Sequence, residues 1–363
     1  MQETSQRDIV CKGCAGKLVF APGTNSMKCP YCGTLNEIAA SGEKIEELDF
    51  EKFLKEFQEQ TAVREVANIK CEACGAQTTF DPGVVSGVCP FCGTPQVVKQ
   101  ASLNRTFRPR SVLPFMVNLD TAYGGFRHWL KKLWFAPNKL KDSARQDSFT
   151  GLYIPYWTYD ANTATDYRGQ RGDDYQERQN YTAVENGRTV TRTRTVTKTR
   201  WTRKSGHVDC TFNDVLVAAS RSLPERHLKN LEPWNLEKLV PFDESYLSGF
   251  RTESYQIDLR EGFALAKQVM DMGIEKAVRR DIGGDRQIIE MLRTIYRNIT
   301  FKHILLPIWI SAYRFNNKTY RFLINGCTGE VQGERPWSWV KITLFVLAII
   351  AVIATIALLA NKG

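Results

Sequence analysis

The sequence predicts an α+β fold in three parts: two small N-terminal lobes built on four cysteines each, an antiparallel-sheet α+β body with an internal repeat, and one C-terminal transmembrane helix. Three observations carry that expectation. Eight cysteines in the first hundred residues repeat one spacing twice, apolar strand and helix patterns recur in the middle of the chain, and the chain closes on a long uncharged apolar run.

Cys11 and Cys14 are followed, after fourteen residues, by Cys29 and Cys32; Cys71 and Cys74 are followed, after another fourteen, by Cys89 and Cys92. The offset is 60 at all four positions, and Cys29-Pro-Tyr-Cys32-Gly33-Thr34 recurs as Cys89-Pro-Phe-Cys92-Gly93-Thr94, which marks an internal duplication. Two thiolates separated by two residues sit on one tight turn and face a single ion, and two such knuckles close a tetrahedron. Gly33 and Gly93 let the backbone fold under the second pair. Residues 1–40 and 66–100 therefore read as two zinc ribbons, with two structural Zn2+ ions and no open coordination position for chemistry. Iron is the alternative, because a four-sulfur tetrahedron also takes it and Cys-Pro-Tyr-Cys-Gly is a knuckle shared with rubredoxins. Segments this short bury too little apolar surface to fold alone, so the metal has to supply on the order of 10 kcal/mol of folding free energy.

Metal ligation needs reduced thiolates, which places these lobes in a reducing compartment, and residues 1–9 carry no apolar signal-peptide core. The net charge of +10 is uneven: residues 1–100 hold ten Lys/Arg against thirteen Asp/Glu, leaving thirty-nine against twenty-six beyond. The ribbons are thus poor phosphate clamps, since nucleic-acid affinity rests on cations that neutralise phosphates.

Between the ribbons, residues 41–65 form a helical linker. Leu48, Phe50, Phe53, Leu54 and Phe57 follow helical spacing within Ser41 to Gln60, with glutamates mostly opposite, and the helix is expected to pack against or space the two ribbons. Residues 101–335 form the α+β body. Its repeat rests on Leu113 to Asp120 leading into a helical run through Phe126, Trp129, Leu130 and Leu133, and on Tyr255 to Leu259 leading into Phe263, Leu265, Ala266, Val269 and Met270. Tyr153-Ile-Pro-Tyr-Trp157 then matches Leu305-Leu-Pro-Ile-Trp309. A hairpin is expected from Ile308 to Phe315, a turn at Asn316-Asn317-Lys318, and Thr319 to Ile324.

A basic β-arm is expected at about 186–206, bounded by turns at Asn186-Gly187 and Ser205-Gly206 and pairing with 164–173 or 209–217. From Thr189 to Thr199 every odd position is threonine, so a strand here has a hydroxyl face and a basic face. Arg188, Arg192, Arg194, Lys198, Arg200, Arg203 and Lys204 are its candidate contacts to an anionic partner. They fit lipid headgroups, an acidic protein or a nucleic acid, or they simply block edge pairing. Trp201 is the run's one aromatic, so the stacking expected of a single-strand groove is weak.

Residues 336–363 form the membrane tail. Ile342 to Ala360 carries only apolar side chains and two threonines and spans about 28 Å as a helix, the thickness of a bilayer core. Trp337, Trp339, Arg335 and Lys341 flank it on the body side, and three residues follow it, so the body is expected to be cytoplasmic and single-pass anchored. No phosphate loop, dinucleotide fingerprint, zinc-protease helix or nucleophile elbow occurs. His128, His207, His227 and His303 are scattered, and Cys210 and Cys327 lack ligand spacing, so no catalytic residue is assigned and the chain reads as non-enzymatic.

Together these parts resemble a family of bacterial tail-anchored double zinc-ribbon proteins. The two cysteine quartets are similar to the ribbons of transcription factor IIB and of the primosomal protein N′ helicase, but the helicase core is absent. Members are encoded beside PspA-type phage-shock proteins and SPFH-domain proteins. The resemblance implies an envelope-stress scaffold that recruits such partners to the membrane. The leading expectation is an adaptor with Tyr31, Phe91 and the acidic helix as docking sites; the competing one is a membrane-associated nucleic-acid binder using the ribbons and the arm.

Overall fold

Alternation of side chains in the middle of the chain runs far past the expected turns, and the architecture follows from that. The computed structural model describes residues 10–39, 42–59, 64–79, 86–97, 102–107, 109–137, 149–185, 188–315 and 318–360. The first ribbon holds β1 (Val19–Phe20), β2 (Ser26–Lys28) and β3 (Leu35–Glu37), followed by β4 (Leu48–Asp49) and α1 (Phe50–Glu59). The second holds β5 (Arg64–Lys70), β6 (Gln77–Thr79), β7 (Ser86–Val88), β8 (Pro95–Val97) and β9 (Ser102–Thr106). The body continues through β10 (Ser111–Val112), α2 (Leu119–Lys131), β11 (Thr150–Glu185), β12 (Arg188–Ala218), α3 (Glu225–Asn230), β13 (Val240–Pro241) and β14 (Arg251–Thr252). It ends with α4 (Leu259–Ile282), β15 (Arg286–Phe315), β16 (Lys318–Asn325), β17 (Val331–Gly333) and α5 (Trp339–Ala360). β9 pairs with β5, so ribbon 2 extends past its expected end at residue 100.

A mostly antiparallel sheet with the order β12-β11-β15-β10-β13 forms the body. β11 is 36 residues long, about 120 Å when extended. It pairs with β12 from Tyr156↔Ala218 to Glu185↔Arg188, and with β15 from Thr150↔Ile310 to Gly172↔Arg286. Beyond Gly172 the ribbon has two strands and projects about 40 Å as a hairpin arm. The arm is longer than expected, and its last ladder pair is Glu185↔Arg188; Asn186 and Gly187, expected as a turn, lie outside the described residues. Ser205-Gly206 is not a turn, because Arg168↔Ser205 and Tyr167↔Gly206 are ladder pairs. Glycine is needed at 206 for another reason: the Tyr167 ring lies across it, and a Cβ there would meet the ring at 2.7–2.9 Å. The segment 164–173 pairs with 200–209, while 209–217 continues the same strand and is no partner.

Helix α4 lies along the three-stranded stretch. Asp258 caps it by accepting from the Glu261 amide at 2.8 Å, and Phe263, Ala266, Met270, Ile274, Val278 and Ile282 are buried at helical spacing against the strands. Tyr167 on β11 donates to Asp281 and the Lys204 ammonium to the Asp281 carbonyl, which fastens the far end of the helix to the arm.

Helix α1 begins at Phe50, not near Ser41, because Leu48 and Asp49 pair with Phe301 and Thr300 of β15. It does not space the ribbons. Phe50 and Phe53 pack on Phe301, Phe263 and Phe107, over the three-stranded sheet near Trp157 and Tyr159. The exposed side mixes signs, with Glu51, Glu56, Lys52 and Lys55 all facing solvent. The later hairpin forms as expected over β15 and β16, with Phe315↔Lys318 closing it. Asn316 and Asn317 lie outside the described residues.

The two matched segments make matched contacts. Trp157 donates its indole N–H to the Ile257 carbonyl, just before the Asp258 cap of α4. Trp309 donates to the Val117 carbonyl, just before the Asn118 cap of α2. Both bonds are 2.9 Å. β10 runs parallel to β15, and β14 runs parallel to β11.

Candidate metal centres

Each ribbon is assembled from two turns with one hydrogen-bond pattern. In the first turn, the Cys11 amide donates to the Gly16 carbonyl and the Ala15 amide to the Cys11 carbonyl. The pairs at Cys29 with Thr34 and Gly33, Cys71 with Ala76 and Gly75, and Cys89 with Thr94 and Gly93 repeat it, all at 2.8–3.0 Å. The closing residue of every turn has positive φ: Ala15 57°, Gly33 76°, Gly75 75° and Gly93 69°. Three are glycines and one is alanine. The left-handed conformation costs an alanine roughly 1 kcal/mol, part of which a glycine gives back as chain entropy when unfolded. Ala15→Gly is therefore expected to tighten ribbon 1 by several tenths of a kcal/mol, read as slower metal loss to a chelator; faster loss would contradict the strain.

The turns bring the sulfurs together in two tetrads, Cys11/Cys14/Cys29/Cys32 and Cys71/Cys74/Cys89/Cys92, each with all ligand atoms within 4.8 Å of one another. Cys11 to Cys32 and Cys14 to Cys29 are 3.5 Å apart; Cys71 to Cys92 and Cys74 to Cys89 are 3.7 Å. A tetrahedron with metal–sulfur bonds of about 2.3 Å has edges of about 3.8 Å, so the spacing fits an enclosed ion, while a disulfide needs about 2.05 Å. The Thr34 hydroxyl stands 3.2 Å from Cys32 Sγ and, with the Thr34 amide, lowers that thiol to about 6. At Cys92 burial pushes the thiol upward, but Thr94 at 3.2 Å outweighs it and the value falls to about 7. A cation within each tetrad would favour the thiolate at the other positions too.

Neither lobe is free. In ribbon 1 the Phe20 amide donates to the Ser248 carbonyl, Ser248 Oγ to the Leu18 carbonyl at 2.6 Å, and Tyr246 Oη to Asn25 Oδ1 at 2.6 Å, while Phe20 meets the Tyr246 and Phe250 rings. In ribbon 2 the Ser254 amide donates to the Gln77 carbonyl, Thr78 bridges to Glu253, and Arg251 reaches the Val88 carbonyl at 2.5 Å. Residues 246–254 thus hold both lobes.

The paired positions Tyr31 and Phe91 part company here. Tyr31 is 79% exposed, its ring against Gly16. Phe91 is 0% exposed and packs with Leu113, Tyr156 and Ile308, and its carbonyl accepts from Arg321 Nε at 2.6 Å. Phe91 is therefore no docking residue; the absent hydroxyl is the one signal in the sequence that this ring is buried.

Glu253, which no motif or spacing singles out, is fully buried beside Thr78 of ribbon 2. Its Oε1 accepts from Ser220, Ser222 and Gln256, and its Oε2 has no hydrogen-bond partner among the described residues. Burial raises its carboxyl to about 7 against the hydroxyl bonds that lower it. A carboxyl with a raised folded-state value binds its proton more tightly when folded, so stability is fully present below about 4.5 and is lost as pH rises towards 7, by roughly 3 kcal/mol. Glu253→Gln keeps the shape without the charge. Its urea midpoint is expected to exceed the wild type's at pH 8 and to approach it only as pH falls to about 4.5; equal midpoints at pH 8 would refute the assignment.

The arm residues separate by face, since opposed residues share a side. Arg192, Arg194, Lys198, Arg200 and Lys204 lie on the α4 side, while Arg203 and Trp201 lie on the other. Arg188 opens β12 opposite Glu185. The strand opposite contributes Tyr175 and Tyr181, with Arg200 5.4 Å from the first ring centroid and Arg194 5.6 Å from the second. It also contributes a carboxylate, Glu177, which pairs with Lys198 at 2.8 Å, while on the hydroxyl face Asp174 accepts from Thr199 at 2.6 Å. The basic row is thus less bare than its own strand suggests. Of the remaining candidates, Cys327 is pushed up to about 12 by burial, and His207 sits between Asp166 at 2.7 Å and Asp209 at 3.2 Å, which raise it.

Among the described residues one helix, Trp339–Ala357, is long and apolar enough to cross a membrane by length and composition, and none of it is buried in the body. No family model and no solved structure matches the chain. The chain is similar to the uncharacterized protein YdjG of Bacillus subtilis (strain 168), 26% identical over 340 residues that cover 93% of each.

Proposed function

We propose that this protein is a non-enzymatic, single-pass membrane adaptor: two zinc ions hold its ribbons, α5 anchors it, and the cytoplasmic body docks partner proteins. The observation that carries the reading is the arm, a two-stranded projection that adds nothing to the body's core yet presents ordered rows of cations, tyrosines and hydroxyls to the outside. Zinc is favoured by two closed four-sulfur cages. A cytoplasmic body is favoured by thiolate ligands and by Arg335 and Lys341 on the body side of α5. The swapped Trp157 and Trp309 bonds support reading the body as two diverged copies of one α+β unit, each tryptophan donating to the carbonyl just before the other copy's helix cap.

The partners we propose are PspA-type and SPFH-domain proteins, through the arm and the exposed Tyr31. The test is to replace residues 174–199 by a two-residue turn, keeping the Asp173↔Arg200 register. Membrane insertion and metal content are expected to persist while capture of both partners is lost. Undiminished capture would remove the arm from docking.

A second reading, nucleic-acid binding, is favoured by Tyr175 and Tyr181 lying among the arginines. It predicts an affinity that falls steeply with salt and drops on replacing Arg192, Arg194 and Arg200 by alanine. No binding near physiological salt would eliminate it.

A further inference from the structure

The segment that leaves α2 touches the membrane helix below its first turn. Phe135 lies 5.4 Å, centroid to centroid, from Phe345 and 6.4 Å from Trp337. The Ser338 amide donates to the Phe135 carbonyl at 2.8 Å, and the Lys341 ammonium to the Ala136 carbonyl at 2.8 Å. Phe345 is six residues into α5, about 9 Å along its axis from Trp339. With α5 across a bilayer, that level is the boundary between headgroups and hydrocarbon.

The residues beside Phe135 suit that depth. Trp134 is 76% exposed although it is the largest apolar side chain of the segment, and Trp337 and Trp339 are exposed beside it at 53% and 77%. Indoles with one wet edge concentrate at bilayer interfaces. The backbone is prepared as well: the amides of Leu133, Trp134 and Ala136 are bonded within the segment, and the carbonyls of 135 and 136 are taken by α5. Backbone at a lipid boundary needs such satisfaction, since water is scarce there. Arg127, Lys131 and Lys132 are exposed on the turns just before, on the side where phosphates lie.

We infer that residues 132–137 are a second membrane contact, with Trp134 seated among the lipid headgroups beside α5 and Lys131 and Lys132 facing their phosphates. The inference rests on α5 spanning the bilayer. It makes the anchor two-point, which fixes the tilt of the body, and with it the arm, relative to the membrane plane.

The test uses the full chain in phosphatidylcholine/phosphatidylglycerol vesicles carrying a spin label shallow in the acyl region. Tryptophan quenching is compared for wild type, Trp134→Phe and Trp339→Phe. Each substitution is expected to remove a quenched component of similar size. If Trp339→Phe removes one and Trp134→Phe does not, Trp134 faces water, and this inference falls while the membrane anchor stands. If neither removes one, α5 does not enter the bilayer, and both fall.

Discussion

Cys89→Ser is expected to halve the metal content and to lower the melting temperature of the whole body. Cys89 is 1% exposed, and Cys89, Phe91 and Cys92 share one apolar cluster with Leu113, Leu152, Ile154, Tyr156, Ile304, Leu306 and Ile308, which belong to the central strands. A structural metal supplies on the order of 10 kcal/mol to its lobe, more than a typical domain can lose. Once the tetrad opens, the Phe91 ring leaves the cluster and Arg321 loses the Phe91 carbonyl. Elemental analysis should fall from two ions per chain to one, with an earlier tyrosine and tryptophan fluorescence transition. Loss of one ion with an unchanged transition would show that ribbon 2 hangs on the body without supporting it. Tyr31→Ala, on the exposed ring of the other lobe, serves as the control and should leave both readings in place.

Lys302→Met is the second large effect. The Lys302 side chain is 10% exposed and pairs with Asp214 at 2.7 Å and Glu47 at 3.0 Å. Burial works against its charge, and the two carboxylates overcome that and raise its value. Asp160 joins them: it accepts from Thr300 at 3.2 Å, and burial and the neighbouring Glu47 raise it to about 6. Removing the one cation leaves three carboxylates facing one another in a half-buried pocket, a loss of about 3–5 kcal/mol for a broken buried pair. The effect is read as a shift of the urea midpoint at pH 7.5. It should shrink as pH falls below about 6, because Asp160 then binds a proton and no longer needs the lysine. A pH-independent loss would mean that packing of the lysine stem, not charge, is what matters.

The cysteine spacing carried the ribbons because metal geometry is local: two residues between ligands dictate the turn whatever surrounds it. The same local rule missed Phe91, whose burial is decided by Leu113, Tyr156 and Ile308, 22 to 217 residues further along the chain. In the arm, alternation announced a strand correctly, and Gly206 was misread because a glycine beneath an aromatic ring and a glycine in a turn look alike in sequence. The real irregularity carries weaker signals. The bulge at Asp160, with Asp214 at φ 52° and Asn298 at φ 51°, uses residues that tolerate the left-handed region but do not announce it. Helix α1 was overextended because Leu48 fits an apolar helical stripe as well as it fits the edge of β15. The apolar composition of α5 needed no tertiary context at all, whereas the contact of Phe135 with that helix is invisible without it.

Nine residues, 246 to 254, touch both four-sulfur lobes from one side. Segment 246–254 is thus a shared footing: a lobe that opens releases its own bonds to it, while the bonds to the twin lobe are separate ones.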